Sequence, residues 1–270
     1  MDKVIVCETP MKPTINENAE PERLEDIVVK KDKDVEEVVR IYHSLDVEKL
    51  NNKWWNDIRG YYSQKNIPVL IPTQIDFVLQ RIIQETITKQ TNDRITGLYI
   101  THLIQESYTA GNNNFTLNTK DTTIDNLAHD IIGAKERPLK LAIQGNTGYF
   151  CGEKMSGVII NVNGSVGDYC GQSAQQSEII VSRNAGEYFG RDAKHMKLTI
   201  HKRVHNGCAY HANCVDVTLH AQARDDCGYG ARDSTFKFTN KLAYDRFKKT
   251  ISASNKIFLI DTQGNIIEKR

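Results

Sequence analysis

The sequence carries almost no net charge. Its 35 Lys and Arg residues are balanced by 34 Asp and Glu residues, which leaves a formal net charge of +1 at pH 7. Proteins that bind phosphate backbones or anionic membranes through a general electrostatic field carry a clear basic excess. The balance therefore argues against nucleic acid as a partner.

The sequence also lacks a long apolar run. Nowhere do about 18 apolar residues follow one another, and the amino-terminal segment contains no apolar stretch of signal-peptide length. We therefore expect a cytoplasmic protein with no membrane partner. Six cysteines are present, and in that compartment we expect them to be reduced, so that the sequons at Asn114 and Asn163 are chance matches.

Apolar residues make up 39% of the chain, which is enough for a substantial core. Residues 1–33 mix charge with three prolines and show no sustained period, and we interpret them as a mobile arm. Residues 34–137 have helical periodicity and predict a helical domain. Residues 138–239 contain a repeat, and residues 240–270 predict a helix and a hairpin that cap it.

Three apolar patterns predict the helices of the first half. They comprise Val35, Val38, Val39 and Tyr42; then Ile75, Val78, Leu79, Ile82 and Ile83; then Ile95, Leu98, Tyr99, His102 and Leu103. Thr73 is the expected N-cap of the second helix, because Pro68 and Pro72 break the chain before it. We expect one more short helix over residues 124–132.

The second half repeats every 19 residues without insertion or deletion. One column reads Leu141, Ile160, Ile179, Leu198, Val217, Phe236; another reads Ile143, Val162, Val181, Ile200, Leu219, Phe238. Because the columns are two residues apart, both point to the same face of a strand. The pattern predicts six strands stacked into a parallel β-solenoid, with a small-residue column that runs from Met155 through Ala174, Ala193, Ala212 and Ala231.

Glycine recurs at the corners of the predicted coils. The relevant columns contain Gly148, Gly167 and Gly186, and Gly152, Gly171, Gly190, Ala209 and Gly228. At these positions we expect a positive φ or a close approach to the neighbouring coil. Open solenoid ends invite association, so we expect caps: the helical half at one end, and a helix over residues 241–254 with a hairpin over residues 256–267 at the other.

The spacings Gly145-x2-Gly148-x3-Gly152 and Gly164-x2-Gly167-x3-Gly171 resemble the GXGXG repeat. That repeat occurs in the carboxy-terminal domain of the glutamate synthase large subunit and in one of the subunits of formylmethanofuran dehydrogenase. The resemblance covers about 100 of the 270 residues and decays after two rows, where Arg183 and His205 replace glycines. It implies a right-handed parallel β-helix that acts as a structural scaffold, and it transfers no catalytic residue.

Four cysteines, Cys151, Cys170, Cys208 and Cys227, share one column, with Phe189 in the remaining row. We interpret the column as a buried ladder of small apolar side chains, with redox or metal binding by the neighbouring pairs as the alternative. A thiol pair supplies only two ligands.

Two histidines, His201 and His220, share an outward column and are the candidate metal ligands. We expect a polar surface ladder; the alternative is a zinc-binding or pH-sensitive patch, and no other cofactor is expected. The denser run from His201 to Cys214 has zinc-like ligands, but around one coil its side chains do not converge.

Charged and aromatic residues meet at the same corners. Asp168, Glu187, Asp225 and Asp226 are best interpreted as solvated corner residues and not as paired catalytic carboxylates. The aromatics Tyr149, Phe150, Tyr169, Tyr188, Tyr210 and Tyr229 predict either an exposed strip where another chain docks or packing against the helical half.

These features together predict an α+β multidomain protein: a helical domain, a right-handed parallel β-helix with 19-residue coils, and a capped carboxy-terminal end. The expected function is a non-catalytic scaffold or protein-interaction module that binds a protein partner or a second copy of itself. The alternatives are a subunit of a glutamate synthase-like or formylmethanofuran dehydrogenase-like oxidoreductase complex, with a site at the junction of the two halves, and a metal-binding protein.

Overall fold

The structure is a computed structural model that describes residues 33–270, except for residues 52, 54, 87–92, 121 and 221. The predicted mobile arm, residues 1–33, lies outside the described residues apart from Lys33. Residues Lys33–Arg270 form one compact unit, and its apolar core runs without a break from the helices into the strands.

Among the described residues, five helices precede the first strand and a sixth lies between the seventh and eighth strands. They are α1 (Lys33–His43), α2 (Val47–Asn51), α3 (Trp55–Ser63), α4 (Pro72–Thr86), α5 (Asp93–Thr109) and α6 (Lys241–Phe247). The apolar patterns predicted for α1, α4 and α5 are confirmed, because every residue named in them is buried.

The strands form one sheet in chain order. They are β1 (Asn114–Lys120), β2 (Leu139–Gly145), β3 (Val158–Asn163), β4 (Glu178–Val181), β5 (Lys197–Ile200), β6 (Asp216–Leu219), β7 (Thr235–Phe238), β8 (Lys256–Ile260) and β9 (Ile266–Lys269). All neighbours are parallel except β8 and β9. Two further ladders of single bridges, which begin at Ile132 and Val166, form the other sides of the coil. The parallel β-solenoid is therefore confirmed.

The predicted register is also confirmed. From β2 to β7, Leu141 is followed in the sheet by Ile160, Ile179, Leu198, Val217 and Phe236, and Ile143 by the second predicted column. Both columns are buried, as is the small column from Met155 to Ala231. The side chains between them on the strands face outward, as the two-residue alternation requires.

Glycine occurs in the two columns for different physical reasons. The column from Gly152 to Gly228 has positive φ in every row, including 53° at Ala209. The column of Gly148, Gly167 and Gly186 has no such φ but lies against its neighbours: a Cβ on Gly167 would stand 2.6 Å from the Gly148 carbonyl carbon. Both expectations for the corners, left-handed backbone and close approach, are therefore met, each in its own column.

Three segments differ from expectation. The range 34–137 is not helical throughout, because β1 lies within it and pairs with β2. The short helix expected over residues 124–132 is wrong: those residues form turns, with positive φ at Asn126, Ala128 and Asp130, and bond to the next coil. At the other end, β8 continues the parallel sheet beyond β7 before the hairpin begins.

Helix α4 begins at Pro72, two residues earlier than an N-cap at Thr73 predicts, so Thr73 is not its N-cap. Pro72 occupies the first helical position, where its missing N–H costs nothing. The Gln74 side chain accepts a hydrogen bond from the Ile71 N–H at 2.8 Å, as in a capping box. The proline that looked like a breaker therefore starts the helix.

Helices α4 and α5 bond the exposed backbone edge of the first coil. On α4, Asp76 accepts from the Asn118 N–H at 2.8 Å and Gln80 donates to the Asn118 carbonyl. On α5, the Ala128 N–H donates to Thr101 at 2.8 Å. These helical side chains occupy hydrogen-bonding positions that a preceding coil fills elsewhere in the solenoid.

The carboxy-terminal end is a short helix and a hairpin. Asn240 caps α6 by accepting from the Ala243 N–H at 3.0 Å, and α6 ends at Phe247, earlier than the residue 254 expected. The hairpin of β8 and β9 is confirmed. On β9, Glu268 bonds Lys241 and Lys248 of the α6 region, which ties the last strand to the helix.

Candidate functional site

The cysteine column lies in the interior. Cys151, Cys170, Cys208 and Cys227 are free thiols that are almost completely buried, and Phe189 between the two pairs is fully buried. A hydrogen bond with Cys151 and burial both raise the pKa of Cys170, and Cys208 with burial does the same for the pKa of Cys227. The interior ladder is thus as expected, and its thiols are shielded from solvent.

The two candidate metal ligands are brought together on the surface. The rings of His201 and His220 stack with centroids 4.7 Å apart and an angle of 2° between their planes. Burial and the neighbouring His201 lower the pKa of His220. The same outward column is hydrogen-bonded in earlier rows, where Asn163 donates to Gln144 at 3.0 Å, so the pair continues a polar ladder.

Stacked imidazoles do not point at one metal ion. A ring nitrogen binds zinc along a lone pair in the ring plane at about 2.0 Å, and an ion between two parallel planes lies outside both. Zinc binding by His201 and His220 would therefore need one ring to rotate. Within the part of the chain that the structure describes, no group of three or more His, Cys, Asp and Glu residues is placed to hold a metal ion.

The corner carboxylates have separate structural partners. Asp168 accepts from the Glu187 N–H at 2.7 Å, which fixes one coil on the next. Glu187 accepts from Asn206, and Asp225 pairs with Arg246. These bonds fit the interpretation as corner residues.

Five of the six corner aromatics form a continuous strip along the solenoid, and Phe150 at its end also lines a cavity with Leu98 of α5. Docking of another chain on the strip stays a prediction. The aromatic strip consists of Phe150, Tyr169, Tyr188, Tyr210 and Tyr229. Successive ring centroids are 5.1, 5.3, 5.9 and 5.2 Å apart, and all contacts are stacked except the edge-to-face contact of Tyr188 with Tyr210. Four of the rings are half-buried, and Tyr229 is 56% exposed.

The strip changes column at its centre. Phe150, Tyr169 and Tyr188 share one repeat position, and the next residue in that column is Gly207. The Tyr188 ring lies over Gly207, where a Cβ would stand 2.6 Å from the ring. Tyr210 then continues the strip from another column, and the structure adds Arg191, whose guanidinium lies 5.4 Å from the Tyr188 ring and 5.8 Å from the Tyr210 ring.

A second candidate, the junction cavity, lies between α5 and the first coils. It has a volume of about 600 Å³ and contains a buried pair in which His129 Nδ1 lies 3.0 Å from Glu153 Oε2. Burial would raise the pKa of Glu153, but the hydrogen bond and charge of His129, with Lys154, lower it on balance. No sequence pattern pointed to this pair, since His129 precedes the regular repeat.

A histidine oriented by a carboxylate can act as a general base when a nucleophile lies within reach. None of the described residues that line the junction cavity is Ser, Thr or Cys. Asp125 in the same wall accepts from the Tyr149 N–H at 2.8 Å. The pair therefore fits best as a link between two coils.

No family model, curated protein or solved structure matches this chain. None of the helices in the described ranges combines the length and the apolar character needed to span a bilayer.

Proposed function

We propose that this protein is a non-catalytic scaffold whose aromatic strip binds an extended, carboxylate-bearing segment of a partner protein. The observation that carries the proposal is the stacked strip itself, which lies on a corner where the solenoid interior does not need aromatic residues. Tyrosine and arginine are, with tryptophan, the residues enriched where protein partners dock tightly.

The backbone conformation at the ring positions supports a functional role for the rings. Phe150, Tyr169 and Tyr188 have φ of 59°, 60° and 56°, a conformation that glycine adopts freely and that costs other residues about 1 kcal/mol or more. Gly207 occupies the same position with φ of 71°. Three rows thus keep an aromatic side chain where the backbone favours glycine.

The exposed parts of the strip favour an acidic partner. Where rings stack, their electron-rich faces cover one another and their electropositive edges face outward. The tyrosine hydroxyls add hydrogen-bond donors, and so does the Arg191 guanidinium, whose Nε also donates to Asp192 Oδ2 at 3.2 Å. Carboxylates and peptide carbonyls complement such a surface, whereas sugars and bases would need free ring faces.

Rigidity favours binding as well. Each ring is held by its neighbours at 5.1 to 5.9 Å, so little side-chain entropy is lost when a partner docks. The strip is therefore preorganised.

The test uses the double variant Tyr169→Gly with Tyr188→Gly, which removes two rings and leaves a backbone that glycine fits. Ser173→Gly is the matched control, because Ser173 is exposed, has φ of 54° and carries no ring. Each protein is used to capture partners from its own cells, and the captured chain is then tested as peptides by fluorescence anisotropy. We expect an acidic segment that binds wild type and Ser173→Gly equally and the double variant at least about tenfold more weakly, about 1.4 kcal/mol.

Capture of no chain, or of chains retained equally by the double variant, contradicts the proposal. A strip-dependent segment that is basic would contradict the assignment of the partner's charge.

The oxidoreductase-subunit alternative, which has its site at the junction of the two halves, also requires binding to other chains. It is distinguished by the partner: a captured synthase or dehydrogenase subunit favours the alternative suggested by the glycine spacing. The resemblance to the GXGXG repeat and zinc binding by the histidine pair stay predictions.

We further propose that the coils wind to the right, because connections between parallel strands of one sheet are nearly always right-handed. The side chains of α4 and α5 that bond the first coil support a capping role for the helical half, and β9 supports one for the hairpin.

A cytoplasmic location is supported by the free thiols of the neighbouring cysteines in the interior column.

A further inference from the structure

A groove with an unusual concentration of positive charge lies where the last coils meet α6. Two adjoining cavities, of about 340 and 620 Å³, share Arg203, Gln222 and Asn240 in their walls. We call them together the basic groove. Arg224 and Arg246 line the first cavity, and Lys202 and His220 line the second.

Two of the four lining cations, Lys202 and Arg224, stand at repeat positions where the early rows have glycine. Gly164 shares its repeat position with Arg183 and Lys202, and Gly186 shares its position with His205 and Arg224. In the early rows there is little space: a Cβ on Gly164 would stand 2.0 Å from the Gly145 carbonyl oxygen. The later rows place long basic side chains at the same corner, where the apolar interior has no use for them.

The walls of the groove are one-sided in charge. Among the described lining residues, Lys202, Arg203, Arg224 and Arg246 are cationic and none is Asp or Glu. Arg246 pairs with Asp225, which is not part of the lining. Since the whole chain has a net charge of +1, this local excess does not reflect the composition.

The geometry of the groove limits the ligand. Each guanidinium offers a planar fork of donors that matches two oxygens of one phosphoryl group. The Arg203 backbone is held by Asn184, whose side chain accepts its N–H at 3.2 Å. A volume of 340 Å³ accommodates a phosphate or pyrophosphate group but no folded partner. The amides of Gln222 and Asn240 add neutral polar groups to the same wall.

We propose that the basic groove binds a phosphoryl group, as a free phosphate ion or on a small phosphorylated molecule, through Arg203, Arg224 and Arg246. The groove shares no lining residue with the aromatic strip and does not depend on the proposed function.

The full-length protein is titrated with pyrophosphate in a calorimeter, and inorganic phosphate, glycerol phosphate and sulfate are compared at equal ionic strength. We expect saturable binding of pyrophosphate, and about tenfold or greater loss in Arg203→Gln and in Arg224→Gln, because each removes one charge-assisted contact. Arg232→Gln is the matched control: it makes the same charge change at an exposed position on another ladder and should bind as wild type does.

Melting curves without ligand show whether each variant is folded, and pyrophosphate should raise the melting temperature of wild type and Arg232→Gln only. Tighter binding of glycerol phosphate than of inorganic phosphate would assign the group to an organic ester, and the reverse would assign it to the free ion; both support the site. No saturable binding, equal binding of sulfate, or an equal loss in Arg232→Gln would overturn it.

Discussion

Phe189 is the one ring in an interior column that otherwise contains thiols. It lies between Cys170 and Cys208, is fully buried, and separates the four cysteines into two pairs. In a stack of coils each interior side chain rests on its counterparts one row above and one row below. The size of one residue therefore affects two neighbouring rows.

We expect Phe189→Ala to lower the free energy of unfolding by about 3 to 5 kcal/mol, because it opens a cavity between rows that cannot collapse independently. Phe189→Met, which nearly conserves volume, should cost less than about 1.5 kcal/mol. Urea unfolding of the two variants measures both values. Leu242→Ala is the control, because Leu242 is 81% exposed, and it should change the free energy of unfolding by no more than about 0.5 kcal/mol. A similar loss in all three variants would mean that packing between rows does not limit the stability of the protein.

The histidine pair is the residue-scale feature that responds to pH. Burial and the repulsion of a charged His201 both disfavour protonated His220, and its pKa lies below the ordinary value of 6.5. A histidine whose pKa is lowered on folding binds its proton more readily in the unfolded chain. Protonation of His220 therefore favours the unfolded chain, and the free energy of unfolding decreases as the pH falls below about 6.5.

In His201→Ala we expect the pKa of His220 to rise toward its ordinary value, since both causes are weakened. Titration of the His220 ring protons by NMR measures the pKa directly. His195→Ala is the control, because His195 is exposed on another side of the coil. An unchanged pKa of His220 in His201→Ala would show that the stacked arrangement does not govern its titration.

At the scale of elements, α5 is fitted to the first coil by a glycine. A Cβ on Gly97 would stand 1.9 Å from the Asp125 carbonyl oxygen, so the helix lies directly on the turn backbone. The same approach lets Thr101 accept from the Ala128 N–H. Helix and coil therefore meet through backbone contact, and the distance between them cannot grow without loss of these bonds.

Gly97→Ala should destabilise the protein although alanine is the better helix former. Gly60 in α3 is the matched control, because nothing lies within 4 Å of a Cβ at that position. We expect Gly60→Ala to stabilise the fold by about 0.5 to 1 kcal/mol, and Gly97→Ala to have the opposite sign. Thermal melts of the two variants decide the matter, and a gain in both would contradict the close approach.

The elements that could be predicted from sequence are those that keep the repeat. Strands β2 to β7 stand at a constant interval, and their inward columns were visible without structural knowledge. Strand β1 was missed because Phe115 pairs with Leu141 across a longer interval, which takes it out of the lattice. The pattern of the residues before β2 predicted a helix. The positive φ at Asn126 and Ala128 could not be predicted, because neither residue is a glycine.

Surface features that follow the repeat could likewise be predicted from the sequence, whereas those that leave it could not. The aromatic residues were recognised as a cluster, but the change of column between Tyr188 and Tyr210 depends on the side chains of neighbouring coils. His129 and Glu153 meet only because the first coil has an irregular length. Residues outside the repeat can be paired only when the path of the chain is known.

At the scale of the whole molecule, the helices and the solenoid share one core. Buried residues from Val35 to Leu259 form a single apolar cluster, and α4 and α5 supply polar partners for the free edge of the first coil. A solenoid without this cover would expose both the apolar surface that α4 covers and the unpaired backbone groups of β1. An uncovered strand edge pairs with other chains.

A chain that begins at residue 110 should therefore self-associate, whereas one that begins at residue 33 should behave as the full-length protein does. Light scattering after size-exclusion chromatography measures the mass of each chain. Amide exchange of the shorter chain should show loss of protection first in β1, because the Asn118 N–H donates to Asp76 in the intact protein. Association should grow with concentration, because edge pairing is intermolecular. A shortened chain that stays monomeric with β1 protected would mean that the solenoid closes its own end and that the helices serve another purpose.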